Sequence, residues 1–209
     1  IAAMYLHETP RDFALVSADL DLPVAAVQLR RLQAMVDRGH HAGSSLYGPS
    51  VALDVAIRRY ATRWLPLLAA ATVENVESGT DGVLLPPLDV LWVWTLHMLA
   101  PFAYHADCQR GFGRVLPRAF IKSPSDELVA ISSGRAAWQA ACPGEPWEPP
   151  SAAALEASAA CPLHHRDFVA GETDGAIIHY NLRGSANRQA QAIWNMSRPQ
   201  FARPAWLAH

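Results

Sequence analysis

Apolar residues recur at helical spacing along most of this chain. Val24, Val27, Leu32, Met35 and Val36 fall near one helical face while Arg30, Arg31, Asp37 and Arg38 lie mostly off it, which predicts an amphipathic helix over 24–38. Asp19 or Asp21 is placed to cap it and Pro23 to sit in its first turn, leaving 1–20 as an N-terminal arm. Gly39 stops it, and His40 and His41 read as solvent-facing histidines in a polar loop. Pro49 opens a longer helix with Val51, Val55, Tyr60, Trp64, Leu67 and Leu68 on its apolar side; Pro66 bends it, and 73–82 reads as a loop. Its Arg58, Arg59 and Arg63 form a basic edge, read first as a solvated face with carboxylate partners and second as an anion site.

Between Pro86 and Arg114 the pattern condenses. Pro86 and Pro87 suit a helix entry, the interior runs from about Leu88 to Ala100, and Pro101 ends or kinks it before a second helix over Phe102–Arg110 that Gly111 and Gly113 stop. Farther on, Ser123 or Ser125 followed by Asp126 and Glu127 caps a helix to Ala141, weakened in its middle by Gly134. Cys142–Pro150 is a proline-rich connector, with Trp147 expected to pack on its own domain, and 151–160 is an alanine-rich helix. The stretch 176–182, A-I-I-H-Y-N-L, is the one strand candidate, and helix returns over Asn187–Ser197. These elements predict an all-α, irregular domain of about six helices around a proline-kinked hairpin, with at most one minor β element. Its expected organisation is a core over 21–142, a connector over 143–150 and a C-terminal lobe over 151–209.

Composition narrows the function classes. With 51% hydrophobic and 17% charged residues the chain can bury a real core, and a net charge of −2 disfavours nucleic acid, which needs a basic patch. Three cysteines without a C-x-x-C pair suit a reducing, cytoplasmic setting. No apolar run reaches the roughly 20 residues of a membrane span. The chain starts at Ile1, which fits a fragment or a processed form, so a lost targeting segment stays open.

Nucleophile-elbow, P-loop, dinucleotide-binding and H-E-x-x-H patterns do not occur, and no cofactor or metal is assigned. Cys161, His164 and His165 have metal-ligand chemistry but lack a fourth local ligand, and read as a turn. The candidate site is the polar set Asp89, Trp92, His97, Tyr104, Asp107 and Cys108. At four-residue spacing Asp89, Val93 and His97 share a face, and Tyr104 and Cys108 continue it if the bend at Pro101 is mild. Three readings remain open: a packed core seam, a metal or ligand site, or a Cys–His nucleophile oriented by Asp. On a continuous helix His97 and Cys108 would stand about 16 Å apart along the axis, which favours the seam unless Pro101 folds the second helix back.

The string L-D-x-x-W-x-W-x-x-H-x-L-x-P-x-x-Y-x-x-D-C with F-G-R after it, from Leu88 to Arg114, resembles the signature of the glycine-rich domain-containing protein family of plants. Leu46–Leu68, Trp138–Trp147 and Ile193–Phe201 resemble further segments of that family, whereas Thr95 stands where its members usually place the first histidine of Trp-His-x-His. The resemblance implies the fold more than an activity. The function expected is a non-enzymatic module that binds or scaffolds other proteins, with a metal-dependent enzyme or ligand-binding protein using Asp89, His97, Tyr104 and Cys108 as the alternative.

Overall fold

The computed structural model describes residues 22–38, 46–48, 50–78, 82–118, 121, 123–151, 153–155 and 178–196. The expected arm over 1–20, the His40–His41 pair and the Cys161, His164, His165 turn lie outside them, as does most of the alanine-rich stretch. Among the described residues there are seven α-helices and no strand: α1 Leu22–Arg38, α2 Val51–Arg59, α3 Leu65–Ser78, α4 Leu88–Met98, α5 Pro101–Phe112, α6 Pro124–Ala141 and α7 Leu182–Met196. The all-α expectation holds. None of these helices is long and apolar enough to cross a membrane.

Helix α4 is the centre. Asp89, Val90, Trp92, Val93, Trp94, Thr95, Leu96 and His97 are all buried, so α4 is enclosed almost all the way round rather than along one stripe. One core runs from Leu32 and Val36 of α1 to Leu182 and Ala186 of α7. Trp64, Trp92, Trp94 and Trp138 lie fully buried within it. Three of these indoles find an acceptor, as buried tryptophans generally must: Trp92 donates to the Leu46 carbonyl at 3.0 Å, Trp94 to the Tyr104 hydroxyl at 3.1 Å and Trp138 to the Glu145 carbonyl at 3.0 Å.

Helix α2 runs into α3 through one π-helical turn, Tyr60–Trp64, in which the Leu65 N–H bonds the Tyr60 carbonyl five residues back. The wider turn sits immediately before Pro66, whose ring in an α-helix would press on the carbonyl four residues earlier. The proline is therefore accommodated without ending the helix. Helix α3 then continues to Ser78, through residues expected as loop. In α1 the face also differs from expectation, since Val27 is 59% exposed.

Pro101 does more than kink the chain. Ala100 leaves helical geometry, with φ −119° and ψ 72°, and Pro101 starts α5 afresh, so the mild bend that would have continued the α4 stripe is replaced by a fold-back. Gly113 ends α5 in the left-handed region, φ 69°, which a glycine adopts without side-chain strain. Ser123 caps α6 by accepting from the Asp126 N–H at 3.2 Å.

Gly134 explains its own presence in the middle of α6. A Cβ there would lie 1.9 Å from the Leu85 carbonyl oxygen, because α6 packs directly on the backbone of that segment, tied also by the Leu85 N–H to the Ala130 carbonyl at 3.0 Å. Helix propensity alone would make Gly134→Ala stabilising by about 1 kcal/mol. The clash reverses the sign: chemical denaturation of Gly134→Ala is expected to show a loss of roughly 1–3 kcal/mol, the cost of overpacking.

Candidate functional site

The fold-back brings α5 against α4 so that Tyr104 and Asp107, one turn apart, both reach His97. The His97 and Tyr104 rings meet edge to face at 5.0 Å, and His97 Nε2 stands 3.2 Å from Asp107 Oδ2, off the line of a good hydrogen bond. On the other side His97 Nδ1 lies 3.0 Å from the Tyr60 hydroxyl, supplied by the π turn. The Tyr180 ring stacks on His97 at 5.7 Å with 5° between planes. His97 is thus walled by three tyrosines and a carboxylate, with no exposed surface.

Asp107 is the pivot of this cluster. Its Oδ1 accepts from Arg110 at 2.7 Å, and its Oδ2 accepts the backbone N–H groups of His179 and Tyr180 at 3.1 and 3.2 Å. Burial alone would raise its carboxyl, but the close approach of His97 and the bonds from Arg110 and those two amides outweigh it and hold it at about 2. The strand expected over 176–182 is not formed among its described residues: Ile178–Asn181 is irregular, and two of its backbone donors take a carboxylate where a neighbouring strand would have been. Helix α7 then starts at Leu182, five residues before the expected Asn187.

Tyr104 donates to the Leu116 carbonyl at 2.7 Å, which holds the strap after α5 in place. Cys108 is buried beside that hydroxyl and the Leu116 backbone, and burial pushes its thiol up, away from the thiolate that nucleophilic chemistry requires. Burial likewise raises the Tyr60 and Tyr104 hydroxyls. Thr95 bonds back to the Leu91 carbonyl at 2.8 Å and accepts from Arg118 at 3.0 Å.

Asp89 and Trp92 belong elsewhere. Trp92 meets Tyr47 edge to face at 5.2 Å and fastens the segment before α2. Asp89, on the first turn of α4, pairs with Arg59, so the basic edge expected on α2 is split: Arg63 is exposed, whereas Arg59 is 1% exposed. Arg59 also reaches Glu145 at 3.3 Å, donates to the carbonyls of Pro146 and Trp147 at 2.6 and 3.1 Å, and lies over the Trp138 ring at 5.1 Å. The proline-rich connector is therefore pinned to the core, and Trp147 meets Trp138 edge to face at 6.2 Å, as its expected packing required.

The predicted set thus separates into a His97–Tyr104–Asp107 cluster with Cys108 behind it, an Asp89 ion pair and a Trp92 anchor. Tyr60, Tyr180 and Glu145 join these clusters although the sequence pattern does not single them out as site residues, and Arg59 joins them with carboxylate partners, as its basic edge was expected to have, but buried rather than solvated. Tyr60 has one usable signal, its four-residue spacing to Trp64 on the core face; no local signal points to Tyr180 or Glu145. A His–Asp pair with a tyrosine on the second ring nitrogen can relay a proton in principle. Here His97 and Tyr60 are wholly enclosed, so the arrangement acts on its own neighbours. Among the described residues no group of three or more His, Cys, Asp or Glu side chains is gathered where a metal could be held.

Known proteins are similar to this sequence. Residues 103–209 match the family model described as glycine-rich domain-containing protein-like. The chain is 37% identical over 134 residues, 64% of its length, to glycine-rich domain-containing protein 1 of Arabidopsis thaliana, and 37% identical over 193 residues, 92% of its length, to glycine-rich domain-containing protein 2 of the same plant. It spans only 15% and 22% of those two relatives. No solved structure matches it.

Proposed function

From membership of the glycine-rich domain-containing protein-like family, to which this chain belongs, we propose a non-enzymatic module that binds or scaffolds other proteins. The observation that carries this reading is a contrast in where side chains are spent. His97, Asp107, Tyr104 and Cys108, the groups with catalytic chemistry, are buried and engaged by one another or by neighbouring backbone. Val27, Leu128 and Val129, by contrast, stand 59%, 69% and 65% exposed on α1 and α6. Those two helices are joined by Arg31–Glu127 at 3.3 Å, Gln28 donates to the carbonyl of Ile121 just before α6, and a cleft there is lined by Val24, Val27, Ile121 and Pro124. Exposed apolar side chains beside polar ones are what interaction surfaces offer. The metal-dependent alternative needed Asp89 beside His97, and Asp89 is committed to Arg59.

A reducing, cytoplasmic setting is part of the proposal, supported by Cys108 and Cys142 being free thiols. The test uses the whole chain as bait in native extract, beside a Leu128→Asp, Val129→Asp variant. A stoichiometric partner retained by the wild type and lost by the variant is the expected outcome. Absence of any stoichiometric partner, together with turnover of a small molecule by purified protein, would reverse the reading.

A further inference from the structure

Arg118, at the end of the strap that follows α5, is held in an unusual electrostatic position. Its guanidinium carbon lies 5.3 Å from the centre of the Trp94 ring, and one terminal nitrogen donates to Thr95 Oγ1 at 3.0 Å. Both contacts come from α4, so the guanidinium is fixed in orientation by a rigid element. Burial lowers its proton affinity, with the Tyr104 hydroxyl opposing that shift, yet an arginine remains charged. Arg59 has Asp89 and Glu145, Arg110 has Asp107 and Arg183 has Asp54, while Arg114 is spent on the Ala69 carbonyl at 2.6 Å. Among the described residues Arg118 has no carboxylate within 4.0 Å, and the residue is only half-buried. Leu99, 46% exposed, follows one helical turn beyond Thr95 on the same side of α4.

We propose that the Trp94–Thr95–Arg118 corner is a receptor for a carboxylate presented by a protein partner, with Arg118 as its charged group and Leu99 as its apolar flank. The proposal rests on the protein-binding reading above. A partly desolvated cation without a countercharge gains more from an incoming anion than a fully hydrated one does, and the cost of orienting its side chain is already met by the indole and the threonine. A planar carboxylate is satisfied by one guanidinium fork, whereas phosphate sites assemble several cations or a run of backbone amides, and the contacts that build this corner bring in one cation, Arg118. A carboxylate is therefore the chemistry that fits.

The experiment is a nitrogen-15 NMR titration of the whole chain with sodium acetate and, separately, inorganic phosphate, following Arg118 Nε–H and Trp94 Nε1–H. Saturable acetate-dependent shifts at both groups are expected, lost in Arg118→Gln and weakened in Arg118→Lys, while the Trp94 resonance confirms that both variants are folded. Arg118→Gln bait is expected to hold the extract partner about tenfold or more weakly, the loss of one charge-assisted bond. Folded wild type without an acetate response at Arg118, or a response to phosphate alone, would overturn the receptor. A failed titration beside an intact pull-down would sink this proposal and leave the protein-binding reading standing. A positive titration with undiminished capture by Arg118→Gln would place the partner elsewhere and overturn the partner assignment.

Discussion

Asp89→Ala is expected to destabilise the fold by about 3–5 kcal/mol, the usual loss when one member of a buried ion pair is removed. Arg59 and Asp89 pair at 1% and 3% side-chain exposure, so neither charge can recover its hydration if the other is deleted. Burial pushes the Asp89 carboxyl above the ordinary carboxylate range and Arg59 pulls it back, which makes the guanidinium the group that permits a buried charge there. Glu145 would not replace Asp89, because it faces the Nε side of Arg59 at 3.3 Å and is needed where the connector docks. Urea and thermal denaturation of Asp89→Ala, Arg59→Met and a double Asp89→Leu, Arg59→Met variant give the check. Each single change is expected to lower the melting temperature by roughly 10 °C, and the double to recover part of that loss. Additive losses would show that the pair is not coupled.

Asp107 carries the second large effect, and it comes with a pH signature. Asp107→Ala leaves His97 Nε2, the His179 and Tyr180 amides and Arg110 without their shared acceptor, at a cost of about 3 kcal/mol. The folded carboxyl sits at about 2, below the unfolded value, so the unfolded chain takes up its proton first as the solution is acidified. The stability from this group is fully present above about pH 4 and is lost as pH falls towards 2. Urea midpoints measured between those limits are expected to fall in the wild type and to fall less steeply in Asp107→Asn, which keeps the shape and one acceptor but not the titration. Parallel slopes would mean that Asp107 does not hold the clasp as a carboxylate.

The α4–α5 hairpin is legible in the residues alone, because Pro86 and Pro87, Pro101 and Gly113 are start and stop signals whose effect depends on nearest neighbours. The Ser123 cap is legible for the same reason, and Trp147 is placed correctly because a tryptophan in a proline-rich segment has little other means of leaving water. Arg59 has the carboxylate partners expected of it but not the solvated face, since charge patterning on a helix assigns arginine to the surface. Its partners lie 30 and 86 positions along the chain, at Asp89 and Glu145. The strand over 176–182 fails for a different reason. Ile177, Ile178 and Tyr180 do favour extended backbone, but what satisfies His179 and Tyr180 is a side chain 72 and 73 positions earlier, and no periodicity reports that. For the site, residue types are recognisable while their grouping depends on how sharply the chain turns at Ala100.

The π turn at Tyr60–Trp64 has a bearing on how the length of this helix can change. A π turn is an α-helix holding one surplus residue, with the stretches on either side still in phase, so Tyr60 keeps its bond to His97 and Trp64 its edge-to-face contact with Trp94 at 5.6 Å. The surplus falls where Thr62 and Arg63 are exposed, and neither side chain is needed inside. Deleting one of them would restore a continuous α-helix without turning either flank away from the core, but it would also bring the Pro66 ring against a carbonyl, at a cost of about 3 kcal/mol. Surplus residue and proline are thus compensating changes: the chain can lose both together, as a one-residue deletion with Pro66→Ala, far more readily than it can lose the residue alone.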